Sequence, residues 1–164
     1  MNHHLKYIKT AIYDQCGFQM ENLEQELESA EYGACRFKLS GRNIICRNAK
    51  ITPKKAGQFV TFWKRQENGP IEPYCENDPF NFYVVNVKTN TEFGQFVFPK
   101  ALLIQKGILS TTKKEGKRAF RVYPQWDITK SKQAQKTQQW QLKYFYEVTT
   151  STDFIKVRDL YELT

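Results

Sequence analysis

The residues best suited to chemistry in this chain are cations carried on turns. Thr52-Pro53-Lys54-Lys55 stands between two runs rich in apolar residues, and Gly57 closes it. Pro53 presets φ for a turn, and Gly57 tolerates φ > 0 at the exit. Lysines on a short turn between strands sit on a stiff frame. Phosphate contacts need cations held in that way, and Thr52 adds a hydroxyl. A second group, Lys113, Lys114, Lys117 and Arg118, lies one strand step from Arg121. Arg47 and Arg121 differ from the lysines because each lies within an apolar stretch. An arginine so placed takes a carboxylate inside the protein or a phosphate from outside. Arg47, Lys50, Thr52, Lys54, Lys55, Lys117, Arg118 and Arg121 are therefore the expected contacts to a nucleic-acid backbone, with Arg47 as a partly buried anchor. Neutralising several phosphates gives salt-sensitive binding with weak sequence preference. The competing reading is a solvated lysine turn, a mobile solubilising loop over 110–118, and an internal ion pair for Arg47.

Catalytic patterns are missing from the sequence. It has no GxSxG, Walker loop or HExxH, and its two histidines, His3 and His4, are adjacent near one end. Cys16, Cys35, Cys46 and Cys75 are widely spaced and form no CxxC, so reduced, mostly buried thiols are expected in place of a zinc site. The one Glu-x-Lys, Glu115-Gly116-Lys117, lies inside the basic loop. A metal-dependent nuclease would need Asp78, Glu92 or Asp127 folded beside it. No cofactor and no obligate metal are expected, and a nuclease is the first alternative. Trp63, Trp126 and Trp140 offer faces for base stacking, but core packing is the commoner use of tryptophan.

The elements that must carry these residues follow from periodicity. Leu5, Ile8, Ala11 and Ile12 predict an amphipathic helix over 2–15, stopped by Gly17. The acidic stretch 20–30 reads as a short helix or an extended loop. Alternation predicts strands over 32–39 and 42–51 around a Ser40-Gly41 turn, and a third over 58–65, together an antiparallel meander. Residues 66–80, with four prolines and glycines, read as a loop. Phe82 and Val84 face one way and Tyr83, Val85 and Val87 the other, which predicts a strand covered on both sides. A strand over 93–99, a short helix over 101–106 ended by Gly107, and a strand over 119–123 follow. Residues 131–148 read as a helix, with a strand open from Trp140 onward. Thr152 and Asp153 cap a last helix. The fold class is α+β: one domain, a five- to six-stranded, mostly antiparallel sheet, and helices at both ends of the sequence.

Composition agrees with a single soluble domain. Aromatic residues make up 15% of the 164 residues, and the net charge is +8. The charge is unevenly placed. Between residues 33 and 66 the sequence holds nine cations and no acid, and between 113 and 143 nine more against Glu115 and Asp127. These two stretches predict one basic face on the folded chain. No apolar run approaches the roughly 20 residues that span a bilayer, and no membrane partner is expected. His3, His4, Lys6 and Lys9 interrupt the apolar positions of the first helix, unlike a signal peptide, which predicts a cytoplasmic location.

One further signal is a resemblance. The run Ala49-Lys50-Ile51-Thr52-Pro53-Lys54-Lys55-Ala56-Gly57, followed by Phe59-Val60 and Phe62-Trp63, resembles the MepB family. So do Gly94-Gln95-Phe96 with Phe98-Pro99-Lys100, Gly107-Ile108-Leu109-Ser110, Arg121-Val122-Tyr123-Pro124 with Trp126, and Ala134-Gln135-Lys136-Thr137-Gln138 with Trp140. The resemblance implies a bacterial cytoplasmic protein of a family named from a gene beside a MarR-type regulator and a multidrug efflux pump. It carries no catalytic residues over, and Glu115 falls outside the family's pattern. It also implies a domain over 1–148 with a helical extension over 149–164 packed on it. The leading expectation is a non-catalytic nucleic-acid-binding protein, DNA first. The second alternative to it, after the nuclease, is a small-molecule or protein-binding module tied to drug response.

Overall fold

The computed structural model describes residues 1–162. The chain opens with α1 (His3–Ile8), which passes through a π-helical turn (Lys9–Tyr13) into α2 (Asp14–Cys16) and stops where Gly17 takes φ +74. The strands that follow are β1 (Met20–Gln25), β2 (Cys35–Leu39), β3 (Arg42–Asn48), β4 (Lys50–Ile51), β5 (Gln58–Thr61), β6 (Trp63–Arg65), β7 (Ile71–Pro73), β8 (Phe82–Lys88) and β9 (Phe93–Pro99). Then come α3 (Lys100–Gln105), β10 (Ala119–Val122), α4 (Lys132–Gln141), β11 (Phe145–Glu147) and α5 (Phe154–Leu160). The main sheet has six strands in the order β1-β2-β3-β8-β9-β11. Every neighbouring pair in it is antiparallel except β3 with β8. The expected α+β class is found, with a mixed sheet.

The predicted two-sided strand is the centre of the molecule. Phe82 and Val84 of β8 enter one apolar cluster with α1, the π-turn, and Val157 and Tyr161 at the far end of the chain. Tyr83, Val85 and Val87 enter the other, with Phe62, α3 and Val122. Successive side chains of a strand point to opposite faces, so two apolar layers need apolar residues at consecutive positions, as Phe82 to Val85 supply. Asp153 caps α5 by accepting from the Ile155 and Lys156 amides, as its position before an apolar stripe predicts. Of the extension expected over 149–164, residues 163 and 164 lie outside the described residues.

Several expectations need correction. The strand expected over 42–51 is two, β3 in the main sheet and β4 in the three-stranded one, and the stretch 66–80, expected as a loop, contains β7. The acidic stretch after Gly17 is an edge strand, β1, paired to β2 across a register break between Glu21 and Glu24, where Asn22 takes φ +56. Charged, bulged edges resist further pairing, so an edge strand can form with few apolar residues. The predicted third strand over 58–65 is two strands in two sheets. β5 pairs with β4 and β10 in a three-stranded sheet, whereas β6 pairs with β7. Between them Phe62 is fully buried, its ring stacked on Tyr83 at 3.8 Å with a 7° interplanar angle, and the chain changes sheets there. The meander therefore ends at β3, which runs parallel to β8 after an excursion of 33 residues through the smaller sheets. Finally, the helix expected over 131–148 stops at Gln141, and the strand left open from Trp140 onward is found as β11. Phe145 and Tyr146 are buried on opposite faces of the main sheet, a period of two that a helix cannot supply.

Candidate functional site

The Thr52–Gly57 turn leaves β4 and enters β5, and β5 pairs with β10 so that Arg121 lies opposite Phe59. This pairing brings the two basic stretches of the sequence together. Gly57 takes φ +78, as its role at the turn exit predicts, and Lys54 takes φ +66 at the apex. Arg121 ties the turn down. Its Nε donates to the Ala56 carbonyl at 3.1 Å, and one terminal nitrogen donates to the Gly57 carbonyl at 3.3 Å and to Thr52 Oγ1. Asp127 stands near the same turn. Burial pushes its carboxyl above the usual carboxylate range, while the Gly57 N–H and the Arg121 charge pull the other way.

Beside this turn runs a groove between β10 and α4. It comprises two adjoining cavities, of about 570 Å³ at the Lys54–Lys55 end and about 340 Å³ toward Lys106 and Lys117. Arg121, Tyr123, Ser131 and Ala134 border both. Six cations surround it: Lys54, Lys55 and Lys130 at the larger cavity, Lys106 and Lys117 at the smaller, and Arg121 between. No acid lines either cavity, and none of the six forms an ion pair among the described residues. Cations without an ion-pair partner around a concave surface concentrate positive potential there. Gln141, in the lining of the smaller cavity, ties the two walls of the groove together. This fully buried amide accepts from the Tyr123 N–H at 2.8 Å and donates to the Arg121 carbonyl at 3.0 Å, joining α4 to β10.

The other predicted contacts lie elsewhere. Arg47 is 1% exposed and cannot reach a ligand at the surface. One terminal nitrogen donates to Glu26 at 3.0 Å and the other to the Cys46 carbonyl at 2.9 Å. Glu26 also accepts from Arg36 Nε at 2.8 Å, so a single carboxylate serves two guanidiniums. The internal ion pair is the arrangement found for Arg47. Lys50 stands 3.6 Å from Glu31 and over the Tyr32 ring at 4.6 Å. Arg118 turns away from the groove, with one nitrogen 2.8 Å from Glu115 and Nε 3.5 Å from the Ile71 carbonyl. Arg65 pairs with Glu28, and Lys64 with Asp78 at 2.8 Å. The acidic segment from Glu26 to Glu31 thus neutralises one flank of the basic stretch and leaves the Lys54–Lys55 flank uncovered.

Lys106 and Lys130 were not among the predicted contacts. Each stands at an element boundary, and the excess of cations from 113 to 143 was the one signal that included Lys130. The loop over 110–118, read as mobile, is tied down by the Lys117 N–H to the Ile108 carbonyl and the Gly116 N–H to Ser110 Oγ. Of the carboxylates weighed for a nuclease, Glu115 and Asp78 are paired with cations, while Glu92 lies near enough to Asp127 for its charge to add to burial in raising the Asp127 carboxyl. Glu115 bonds Arg118, Asp78 bonds Lys64, and Glu92 accepts from Thr89. Among the described residues no three His, Cys, Asp or Glu side chains are grouped to hold a metal ion. Trp126 and Trp140 pack against the second apolar cluster, with Lys106 over the Trp140 ring at 5.1 Å. No helix is long and apolar enough to cross a membrane among the described residues.

Comparison with known proteins supplies the remaining findings. A family model described as MepB-like matches residues 26–147. A crystal structure of MepB is 36% identical, superposes with a TM-score of 0.79, and the match covers 92% of this chain and all of that one. A bacterial homing endonuclease is 16% identical with a TM-score of 0.42 over 79% of this chain and 81% of its own, a likeness too distant to bear on this chain. No curated protein matches the sequence.

Proposed function

The chain belongs to the MepB-like family, and from that premise and the groove between β10 and α4 we propose that it is a nucleic-acid-binding protein that grips phosphate backbones without catalysing a reaction on them. One observation carries this reading: six cations surround a groove that no carboxylate lines. Such an arrangement suits a polyanion whose charges are spaced along a chain. Of the predicted contacts, Lys54, Lys55, Lys117 and Arg121 belong to this grip. Thr52 and Arg121 hold the turn in shape, so its lysines meet the ligand already placed.

The test is fluorescence anisotropy with labelled oligonucleotides, single-stranded and duplex, at about 50 and 200 mM salt. Lys54→Ala/Lys55→Ala removes two phosphate contacts. The log–log salt slope should flatten by about 1.4 on single strands and 1.8 on duplex. Lys50→Ala/Arg118→Ala removes the same charge from outside the groove and should leave the slope almost unchanged. Equal effects from the two pairs would refute the groove as the site. No binding at the lower salt would refute the function.

A further inference from the structure

Two of the four cysteines face each other. Cys35 of β2 and Cys46 of β3 are directly opposite partners in the antiparallel ladder, so their side chains leave the sheet on the same face. Both are free thiols, fully buried in the apolar cluster that includes α1. Residues directly opposite in such a ladder have Cα atoms about 4.5 or 5.5 Å apart and Cβ atoms about 4.5–5.5 Å apart. A disulfide accepts Cα separations of about 4.4–6.8 Å and Cβ separations of about 3.5–4.5 Å. Closing the bond therefore asks for a small pinch of two paired strands and no change of register. We propose that Cys35 and Cys46 are a redox-active pair, in which hydrogen peroxide oxidises Cys35 and Cys46 then closes a disulfide joining β2 to β3. Neither cysteine lines the groove, so the pair does not depend on the nucleic-acid reading.

The surroundings give the two sulfurs different parts. The Cys46 thiol beside it lowers the Cys35 thiol, burial opposes this, and the Arg47 charge adds to the lowering. The same pairing and burial raise Cys46, whose Sγ also accepts from Asn86 Nδ2 at 3.6 Å. The thiolate is the nucleophile, so Cys35 attacks and Cys46 resolves. The Cys35 sulfur bonds to one peroxide oxygen and the O–O bond breaks. The leaving hydroxide takes the Cys35 proton as water, and Cys35 becomes a sulfenic acid. The Cys46 sulfur then attacks the Cys35 sulfur, the S–O bond breaks, and the hydroxyl leaves with the Cys46 proton as a second water. Two thiols and one peroxide give one disulfide and two waters. Peroxide enters where β2 begins. Asn2 is bonded just ahead of Cys35: its Nδ2 donates to the Gly33 carbonyl at 3.2 Å, and its Oδ1 accepts from Asn48 at 3.4 Å while capping α1 through the Leu5 N–H. Local opening of this first turn uncovers Cys35.

The experiment treats the folded, unmodified protein with hydrogen peroxide, denatures it in an alkylating reagent and maps the peptides by mass spectrometry. A glutamate-specific protease is used with trypsin, because trypsin alone leaves Cys16 and Cys35 on one peptide. A peptide pair joined through Cys35 and Cys46, and separated again by dithiothreitol, is the expected product. Cys46→Ala should stop at the sulfenic acid, trapped by dimedone at Cys35, and Cys35→Ala should leave Cys46 a free thiol. Urea unfolding checks that both variants fold, and the map of the unmodified protein needs no variant. Asn2→Ala removes the cap of α1 and should form the disulfide about fivefold faster. An unchanged rate would overturn the route of entry. Cys75, the one cysteine that is not buried, is the internal control. If Cys35 and Cys46 stay alkylatable thiols at peroxide doses that oxidise Cys75, or if Cys35 is overoxidised without a disulfide to Cys46, the pair is overturned.

Discussion

Glu26 is the counter-charge on which Arg47 depends, and Glu26→Gln measures that dependence. The guanidinium is 1% exposed, and its Nε has no partner, so its charge is met by Glu26 and by the Cys46 carbonyl. Burial works against the charged form, and Tyr83, Glu26 and Tyr74 around it more than offset this, so the arginine stays charged; of the three, Glu26 is the one that carries a full negative charge at neutral pH. Opposite charges about 4 Å apart attract by about 4 kcal/mol at an effective dielectric of 20, and removing one partner of a buried pair costs about 3–5 kcal/mol. The Glu26 side chain is 25% exposed, and glutamine keeps one acceptor oxygen, which lowers the expected cost to about 2–4 kcal/mol. For a chain of this length that is a fall in Tm of about 4–16 °C. Urea unfolding followed by tryptophan fluorescence should show a lower midpoint with an unchanged slope. Arg47→Met alone should cost less, because Glu26 keeps Arg36 at 2.8 Å, and adding it to Glu26→Gln should recover part of the loss. A cost below about 1 kcal/mol for Glu26→Gln would mean that Arg47 finds its balance elsewhere, and the buried-pair reasoning would fail.

Two other perturbations follow from the same structure. Gly57→Ala places a side chain at φ +78 and against the Tyr123 ring; it should cost about 1–3 kcal/mol in urea unfolding, and a cost under about 0.5 kcal/mol would show that the turn is not held as described. Burial raises the phenols of Tyr13, Tyr83, Tyr146 and Tyr161 above the usual tyrosine range. The neutral phenol is favoured in the fold, so this stabilisation is complete below about pH 10 and is lost as pH rises from there toward the folded pKa values. Phenolate absorbance of these four should appear together with loss of the near-UV circular dichroism, and their ionisation in a still-folded protein would refute the assignment.

What could be read from the sequence was whatever a few neighbouring residues decide. The first helix and its Gly17 stop, the Ser40-Gly41 hairpin, the doubly covered β8, the end of α3 at Gly107 and the Asp153 cap all rest on spacings of one to four residues. What could not be read was decided by partners far along the chain. β1 is a strand because β2 lies beside it, and its own apolar content gives no hint of that. The stretch from Gln58 to Arg65 splits because Phe62 finds Tyr83, 21 positions on. Residues 142–147 leave the helix because both faces of the sheet need an aromatic at the β11 edge.

The same limit governs the site. Lys50 and Lys54 are four residues apart and look alike in sequence, yet Glu31 takes one and leaves the other beside the groove. Charge counting located the basic stretches, but the acids that cancel half of one stretch come from the segment that reads least clearly. Arg121 makes the point most directly. Three of its hydrogen bonds run inward to the Thr52–Gly57 turn, so its largest effect on a ligand is to fix where Lys54 and Lys55 stand before the ligand arrives. A lysine at that position carries the same charge without the planar fork, and so would preserve the field of the groove while loosening the turn. If the groove binds as proposed, Arg121→Lys should leave the salt slope nearly as it is and raise the dissociation rate, because the charge count is kept while preorganisation is lost.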